Sequence, residues 1–264
     1  MVFVVRQQKT KQLEMGCIKM IQKWEPVDFK MESNSIWNFP QRGYWATHDS
    51  KYRGNWSPYI PRNVILRYSK ENDWLLDQFA GGGTTLVEAK LLNRNIIGID
   101  VNDSALARCK KKCSFERENA GKVVIRKGDA RKLDFIPDNK IDLICTHPPY
   151  ADIIKYSESL DNDISLYSVD KFLIQMEIVA TECYRVLKKG KFCAFLIGDM
   201  RKQGNVIPLG FKLMSVFESV GFVLKETIIK QQHKCSSTDS WSEASQKSNF
   251  LLLAHEYLFV FKRI

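Results

Sequence analysis

The stretch Asp77-Gln78-Phe79-Ala80-Gly81-Gly82-Gly83-Thr84-Thr85 decides the fold. Before it, Trp74-Leu75-Leu76 is short and apolar and predicts a buried strand. After it, Leu86-Val87-Glu88-Ala89-Lys90-Leu91-Leu92 predicts a helix. A glycine-rich turn between strand and helix lets a ligand approach the backbone, because no Cβ stands in the way. The helix start aims unpaired N–H groups at that ligand. Such turns bind many nucleotides, and some bind nothing, so the flanking sequence has to discriminate. Asn95-Ile96-Ile97-Gly98-Ile99-Asp100 is a second strand, ending in an acid about twenty residues after the glycines. That is the spacing at which a carboxylate meets ribose hydroxyls in dinucleotide folds. The turn is neither G-x-G-x-x-G nor a P-loop, since no Gly-Lys-Ser/Thr follows.

Working outward, the strand-then-helix pattern repeats. Val123-Val124-Ile125-Arg126 is a third strand and leads to Gly128-Asp129-Ala130. Residues 141–146 form a fourth, running into His147-Pro148-Pro149-Tyr150, and 192–197 a fifth, closing in Gly198-Asp199-Met200-Arg201-Lys202. Helices are expected at 61–71, 103–117, 169–188 and 208–220. In the third of these, Phe172, Met176, Val179, Cys183 and Val186 recur at helical spacing. Residues 222–229 and 257–261 are the last strands, while 151–168 and 231–249 read as polar loops. Five alternations predict an α/β fold: a mainly parallel sheet with helices on both faces and the closing pair added antiparallel at the edge. In such open sheets ligands sit at the carboxyl ends of the strands, near the switch point. Asp77 to Thr85, Asp100, Asp129, His147 to Tyr150 and Asp199 all fall at those ends, where core packing would call for apolar residues.

The glycine loop and the Pro-Pro-Tyr, on successive strands of one pattern, resemble the S-adenosylmethionine-dependent amino methyltransferases of DNA, which modify N4 of cytosine or N6 of adenine. The resemblance runs from about Lys51 to the C-terminus. It implies a Rossmann-like seven-stranded sheet, S-adenosyl-L-methionine as cofactor and no metal. It places the cofactor on Asp77, Phe79, Ala80, Gly81, Gly83, Thr84 and Thr85, with Asp100 on the ribose and Asp129 on the adenine amino group. Ala130 leaves room for the ring. Trp56, Ser57 and Tyr59 close over the methionine end. His147 and the carbonyl of Pro148 accept hydrogen bonds from the target amino group, with Pro149 and Tyr150 completing the tetrapeptide and Tyr150 stacking on the base. The target atom is inaccessible in a duplex, so the nucleotide is flipped out. Lys155, Tyr156, Arg201, Lys202 and Trp241 are the residues expected to meet nucleic acid. His147 departs from the Asp, Asn or Ser of the family; a neutral imidazole accepts one hydrogen bond, which leaves cytosine and adenine both open.

Bulk properties agree with a polyanionic partner: forty Lys and Arg against thirty Asp and Glu give a formal charge of +10. Lys110-Lys111-Lys112 reads as a solvated helix face. Seven scattered cysteines without a second pair read as reduced thiols in a cytoplasmic protein, not a zinc site. No apolar run is long enough for a membrane span. Residues 1–50 are expected to be an aromatic and basic arm, and 51–264 the methyltransferase domain, with recognition loops at about 151–168 and 230–249. Double-stranded DNA is the expected partner; a restriction endonuclease partner and a homodimer stay open. The alternatives are an RNA guanine-N2 or protein glutamine-N5 amino methyltransferase, or a non-catalytic DNA-binding subunit.

Overall fold

Apolar runs too short for helices, each bounded by turn residues, line up as strands of one sheet. The computed structural model describes residues 24–151, 162–233 and 236–264, with the side chains of 236–240 left out. The strands are β1 (Ile36–Asn38), β2 (Trp74–Asp77), β3 (Asn95–Asp100), β4 (Val123–Lys127), β5 (Ile141–Thr146), β6 (Leu187–Ile197), β7 (Met200–Lys202), β8 (Asn205–Ile207), β9 (Phe222–Gln231) and β10 (His255–Arg263). The helices are α1 (Tyr59–Tyr68), α2 (Thr84–Leu91), α3 (Asp103–Lys112), α4 (Val169–Val186), α5 (Leu209–Ser219) and α6 (Ser236–Lys247). The main sheet runs β1-β9-β10-β6-β5-β2-β3-β4. Its pairings are parallel except those of β10, which runs antiparallel to both β6 and β9.

Three details differ from the sequence reading. The sheet has eight strands, not seven, because β1 comes from the arm and pairs with the outer edge of β9, Ile36 opposite Ile229. Its three residues bury only Trp37, too short a pattern to show a period. The antiparallel strand is β10 alone, and it lies inside the sheet between β6 and β9. Tyr257 to Phe261 are all buried, as a strand covered on both faces requires. The polar segment 230–249 contains a helix, α6, where a loop was expected. Small polar residues at 236–247 mask a helix when read by apolar period. A β7–β8 hairpin turns through Gln203 and Gly204, both with positive φ.

The interior divides by sheet face. Phe195, Phe259 and Phe261 project to one side and pack with Phe172 and Met176 of α4 and Phe217 of α5. Their strand neighbours Ala194, Leu196, Leu258 and Val260 project to the other, packing with Ile60, Val64 and Ile65 of α1 and Leu86 of α2. Trp37 and Trp45 of the arm belong to this second cluster. The arm is also held by charge: buried Glu88 accepts from Trp45 Nε1 at 2.7 Å and from Arg62 Nη1 at 3.0 Å, with His48 Nε2 at 2.7 Å. The strand order reverses between β2 and β5, so the crevice of the sheet opens over their carboxyl ends.

Candidate active site

A cleft of about 670 Å³, partly open to solvent, lies over that crevice. Its floor is the end of β2 and the glycine loop; one wall is the segment Tyr52 to Trp56. Asp100, Val101 and Asn102 after β3, His147 and Pro149 after β5, and residues 162–164 complete it.

Glycine is required in the loop on two counts. Gly81 and Gly83 hold φ of +46° and +78°, in the left-handed region that other residues rarely adopt. A Cβ on Gly81 would also sit 3.0 Å from the Tyr52 ring, and one on Gly82 3.0 Å from the Asn55 side chain. The Tyr52–Trp56 wall therefore lies directly on the loop. Thr84 Oγ1 bonds Asn55 Oδ1 at 2.5 Å. From outside, Arg42 donates to the carbonyls of Asn55 and Trp56, each at 2.7 Å, and Ser57 Oγ donates to the Arg42 carbonyl at 2.7 Å. Asp100 ties the loop to β3: its Oδ2 accepts from Gly81 N at 2.8 Å and its Oδ1 from Asn102 N at 2.9 Å.

Among the described residues, three acids line the cleft, Asp77, Asp100 and Asp163, and no Lys or Arg does. Burial pushes the Asp77 carboxyl up to about 6, although its Oδ1 accepts from Thr146 Oγ1 at 2.7 Å and Phe79 N at 3.1 Å. Burial also raises Asp100 above the usual carboxylate range. A pyrophosphate would be repelled here, whereas a ligand carrying a cation would be attracted.

His147 stands at the head of a hydrogen-bonded chain. Its Nε2 lies 3.2 Å from the Tyr150 hydroxyl, which donates to Glu256 Oε1 at 2.7 Å; Glu256 Oε2 accepts from Lys230 Nζ at 2.8 Å. The imidazole stacks on Trp56, centroids 5.4 Å apart and 21° between planes. Burial brings its pKa down to about 4, so it is neutral at pH 7.

Of the residues singled out from sequence, Trp56, Asp77, Phe79, Ala80, Gly81, Asp100, His147 and Pro149 line the cleft together. The others expected there are placed differently. Gly83 caps the start of α2, and Thr84 and Thr85 are buried in its first turn. Pro148 is buried and Pro149 half-buried. Ser57 serves Arg42, and Tyr59 stacks on Phe39 at 5.3 Å and meets Trp45 edge-on at 4.8 Å, inside the arm cluster. Asp129 is not on the cleft but paired with Arg131 at 2.6 Å, beside buried Ala130. Arg131 Nη2 in turn bonds Asn162 Oδ1 at 3.1 Å, and Asn162 is on the cleft. Tyr150 faces Glu256. Arg201 donates to the carbonyls of Gly204 and Leu251, fastening the hairpin; Lys202 is exposed, and Trp241 stands 55% exposed on α6. Lys155 and Tyr156 lie outside the described residues. Sequence reasoning missed Tyr52, Asn55, Asn102, Asp163 and Glu256. Glu256 had a signal, an acid opening an otherwise apolar strand. Among the described residues no group of three His, Cys, Asp or Glu side chains could hold a metal, and no helix is long and apolar enough to cross a membrane.

Known proteins are similar in sequence and in fold. The orphan methyltransferase M.BamHII of Bacillus amyloliquefaciens is 28% identical over 128 residues, covering 48% of this chain and 40% of that protein. A tRNA (guanine(10)-N2)-dimethyltransferase of Methanothermobacter thermautotrophicus is 32% identical over 101 residues, covering 38% of this chain and 29% of the other. The chain thus spans less than half the length of these curated relatives. In fold, it is similar to TrmN from Thermus thermophilus, with a TM-score of 0.54 at 15% identity over 80% of this chain and 50% of that one. The methyltransferase domain of the RMKL-like family matches residues 64–188. The N6/N4 methyltransferase family, described as DNA methylase, matches residues 5–111 and 141–263. With those spans matched, and the glycine loop and the Pro-Pro-Tyr both inside them, the chain belongs to the N6/N4 DNA methylase family.

Proposed function

We propose that the protein transfers a methyl group from S-adenosyl-L-methionine to the exocyclic amino group of a flipped DNA base, N4 of cytosine or N6 of adenine. The observation that carries this reading is the pairing of an acid-lined cleft with a neutral acceptor at its edge. The three lining carboxylates suit a ligand with a sulfonium and an ammonium group, and the Gly81–Gly82 backbone leaves room where a Cβ would intrude. Asp77 would face the ammonium and Asp100 the ribose hydroxyls, with the Tyr52–Trp56 wall over them. Bound there, the cofactor supplies an electrophilic methyl group.

The remaining work falls to this chain's own residues. The lone pair of an exocyclic amine is delocalised into the ring, so the nitrogen is a weak nucleophile. His147, uncharged at pH 7, accepts one amino hydrogen, and the Pro148 carbonyl accepts the other; together they draw the nitrogen toward tetrahedral geometry. The net charge of +10 supports a nucleic-acid acceptor. Tritiated methyl transfer to unmethylated genomic DNA, with His147→Ala alongside and nucleoside analysis of the product, tests the proposal. Labelled N4-methylcytosine or N6-methyladenine that disappears in the variant is the expected result. The similarity to a tRNA guanine-N2 enzyme favours one second reading, an RNA acceptor. Label on tRNA with none on DNA would establish it and displace the first.

A further inference from the structure

With Asp77 facing the ammonium and Asp100 the ribose, a third acid lining the cleft, Asp163, is left without a task. It sits between Asn162 and Ile164, which line the cleft as well, and is only 6% exposed. Its Oδ1 accepts from Ser165 N at 2.9 Å and from Ser165 Oγ at 2.6 Å, which caps the short 3-10 turn Ile164–Leu166 and orients the carboxylate.

The sheet fixes where Asp163 stands along the cleft. Asp77 ends β2 and Asp100 ends β3, and β4 is next in strand order. Just beyond β4, Arg131 donates through Nε to Asp129 Oδ1 at 2.9 Å and through Nη2 to Asp129 Oδ2 at 2.6 Å. The same Nη2 donates to Asn162 Oδ1 at 3.1 Å, and Nη1 donates to Gln175 of α4. The 162–164 wall is thus pinned at the β4 end of the cleft. Electrostatics give the same order. Burial is the main cause that raises both the Asp77 and the Asp100 carboxyl; the Asp100 charge adds to the first and the Asp163 charge to the second. The carboxylates therefore run Asp77, Asp100, Asp163 across the crevice. A cofactor with its ammonium at Asp77 and its ribose at Asp100 carries its adenine to the third position, where Val101 and Ile164 supply apolar lining.

We propose that Asp163, in place of Asp129, accepts the adenine amino group of the cofactor and makes the site selective for adenine. The inference rests on the cofactor reading above and on no step of methyl transfer. Adenine carries a hydrogen-bond donor at its six position, whereas hypoxanthine carries a carbonyl oxygen there. A carboxylate can only accept, so it attracts the first and repels the second. Asp129, the acceptor that the family resemblance implies, holds Arg131 instead and meets the cleft only through Asn162.

Calorimetric titration with S-adenosylhomocysteine and with its hypoxanthine analogue reads this selectivity without any methyl acceptor. The wild type should bind the adenine form about tenfold or more tightly, since a hydrogen bond to a charged acceptor gives way to repulsion between two acceptors. Asp163→Asn should bring the two affinities to within a few-fold, because an amide can turn its oxygen to adenine or its NH2 group to hypoxanthine. Asparagine caps a helix start as well as aspartate does, so Tm should stay near that of the wild type. Mere loss of negative charge in the cleft would weaken both ligands alike and leave their ratio unchanged. Asp129→Asn should keep the wild-type ratio. A wild type that does not distinguish the two bases overturns the proposal, and so does an unchanged ratio in Asp163→Asn. A ratio that collapses in Asp129→Asn also overturns it and returns the adenine to Asp129. If the wild type binds neither ligand, the cofactor reading itself fails, and the role of Asp163 falls with it.

Discussion

Removing the Arg42 side chain should loosen the cleft from behind without touching any residue that lines it. Its guanidinium donates to two successive carbonyls of the wall, Asn55 and Trp56, and is itself buried enough that desolvation lowers its pKa. Hydrogen bonds from a charged donor are worth about 1.5–3 kcal/mol each. The Asn55 segment is half-buried and can recover water, while Trp56 is buried and cannot, so Arg42→Met should cost about 3 kcal/mol in all. Where that loss falls decides what is seen. If it falls on ordering the wall, S-adenosylmethionine Kd rises up to about 100-fold, since 1.4 kcal/mol is about tenfold. If it falls on global unfolding, Tm drops by about 6–12 °C. Arg42 holds the wall on the side away from the glycine loop and outside the core, so calorimetry should show most of the loss in affinity, with Tm changing by a few degrees at most. Arg42→Lys, which keeps the charge but not the fork, should lie between. The His147 midpoint should also rise above 4 in Arg42→Met, because a cation that opposes its protonation has gone. A Kd within about twofold of wild type, with an unmoved midpoint, would refute the reasoning and leave the wall held by its contacts with the glycine loop.

Three further outcomes follow from the same geometry. Glu88→Gln takes the charge from a fully buried carboxylate that holds Trp45, His48 and Arg62, and should cost about 3 kcal/mol in urea unfolding; a double-mutant cycle with Arg62→Met should show the two losses to be strongly non-additive. Asp77 titrates near 6 in the folded chain against about 3.9 unfolded, so its contribution is fully present below pH 4 and is lost as pH rises through 6. Asp77→Asn, whose amide oxygen can still accept from Thr146 and Phe79, should be more stable than wild type at pH 7.5 by up to about 3 kcal/mol, with the gap closing by pH 4 in melting curves, yet should bind S-adenosylmethionine weakly. Trp241→Ala on exposed α6 should weaken DNA binding in a filter assay, leaving Tm and cofactor affinity unchanged; loss of cofactor affinity would place α6 at the cleft instead.

What could be read from the sequence is what the backbone itself encodes. Asp77 and Asp100 are each the last residue of a strand, and Gly81 to Gly83 must turn sharply into α2, so strand ends and glycines announce the crevice without any tertiary contact. What could not be read depends on chain segments meeting across long separations. Asn55 reaches Thr84 over 29 residues, Arg42 reaches Trp56 over 14, and Glu256 meets Tyr150 over 106. None of these pairs has a local period or spacing. Asp129 is a different case: its place after β4 suits a ligand, and its carboxylate is paired locally with Arg131, two residues on. Strand β1 escaped because three residues cannot show an alternation, and α6 because its polar residues carry none.

The chain separates two electrostatic tasks in space. Overall it carries +10, yet among the described residues the cleft is lined by acids and by no Lys or Arg. A single basic surface running into the crevice would draw phosphate into the cofactor's place. With Asp77 and Asp100 at buried strand ends and Asp163 beside them, the proposed reading has a cationic cofactor and a polyanionic acceptor attracted to different parts of the molecule. Burial accentuates the contrast, since the desolvation that raises Asp77 and Asp100 also shields them from salt that screens the outer cations. His147 stands at the edge of the acid-lined cleft, and burial keeps it neutral. Under the proposed reading, a carboxylate there would add a fourth negative charge where a nucleic-acid strand enters, whereas an uncharged imidazole would accept an amino hydrogen without repelling the phosphate backbone.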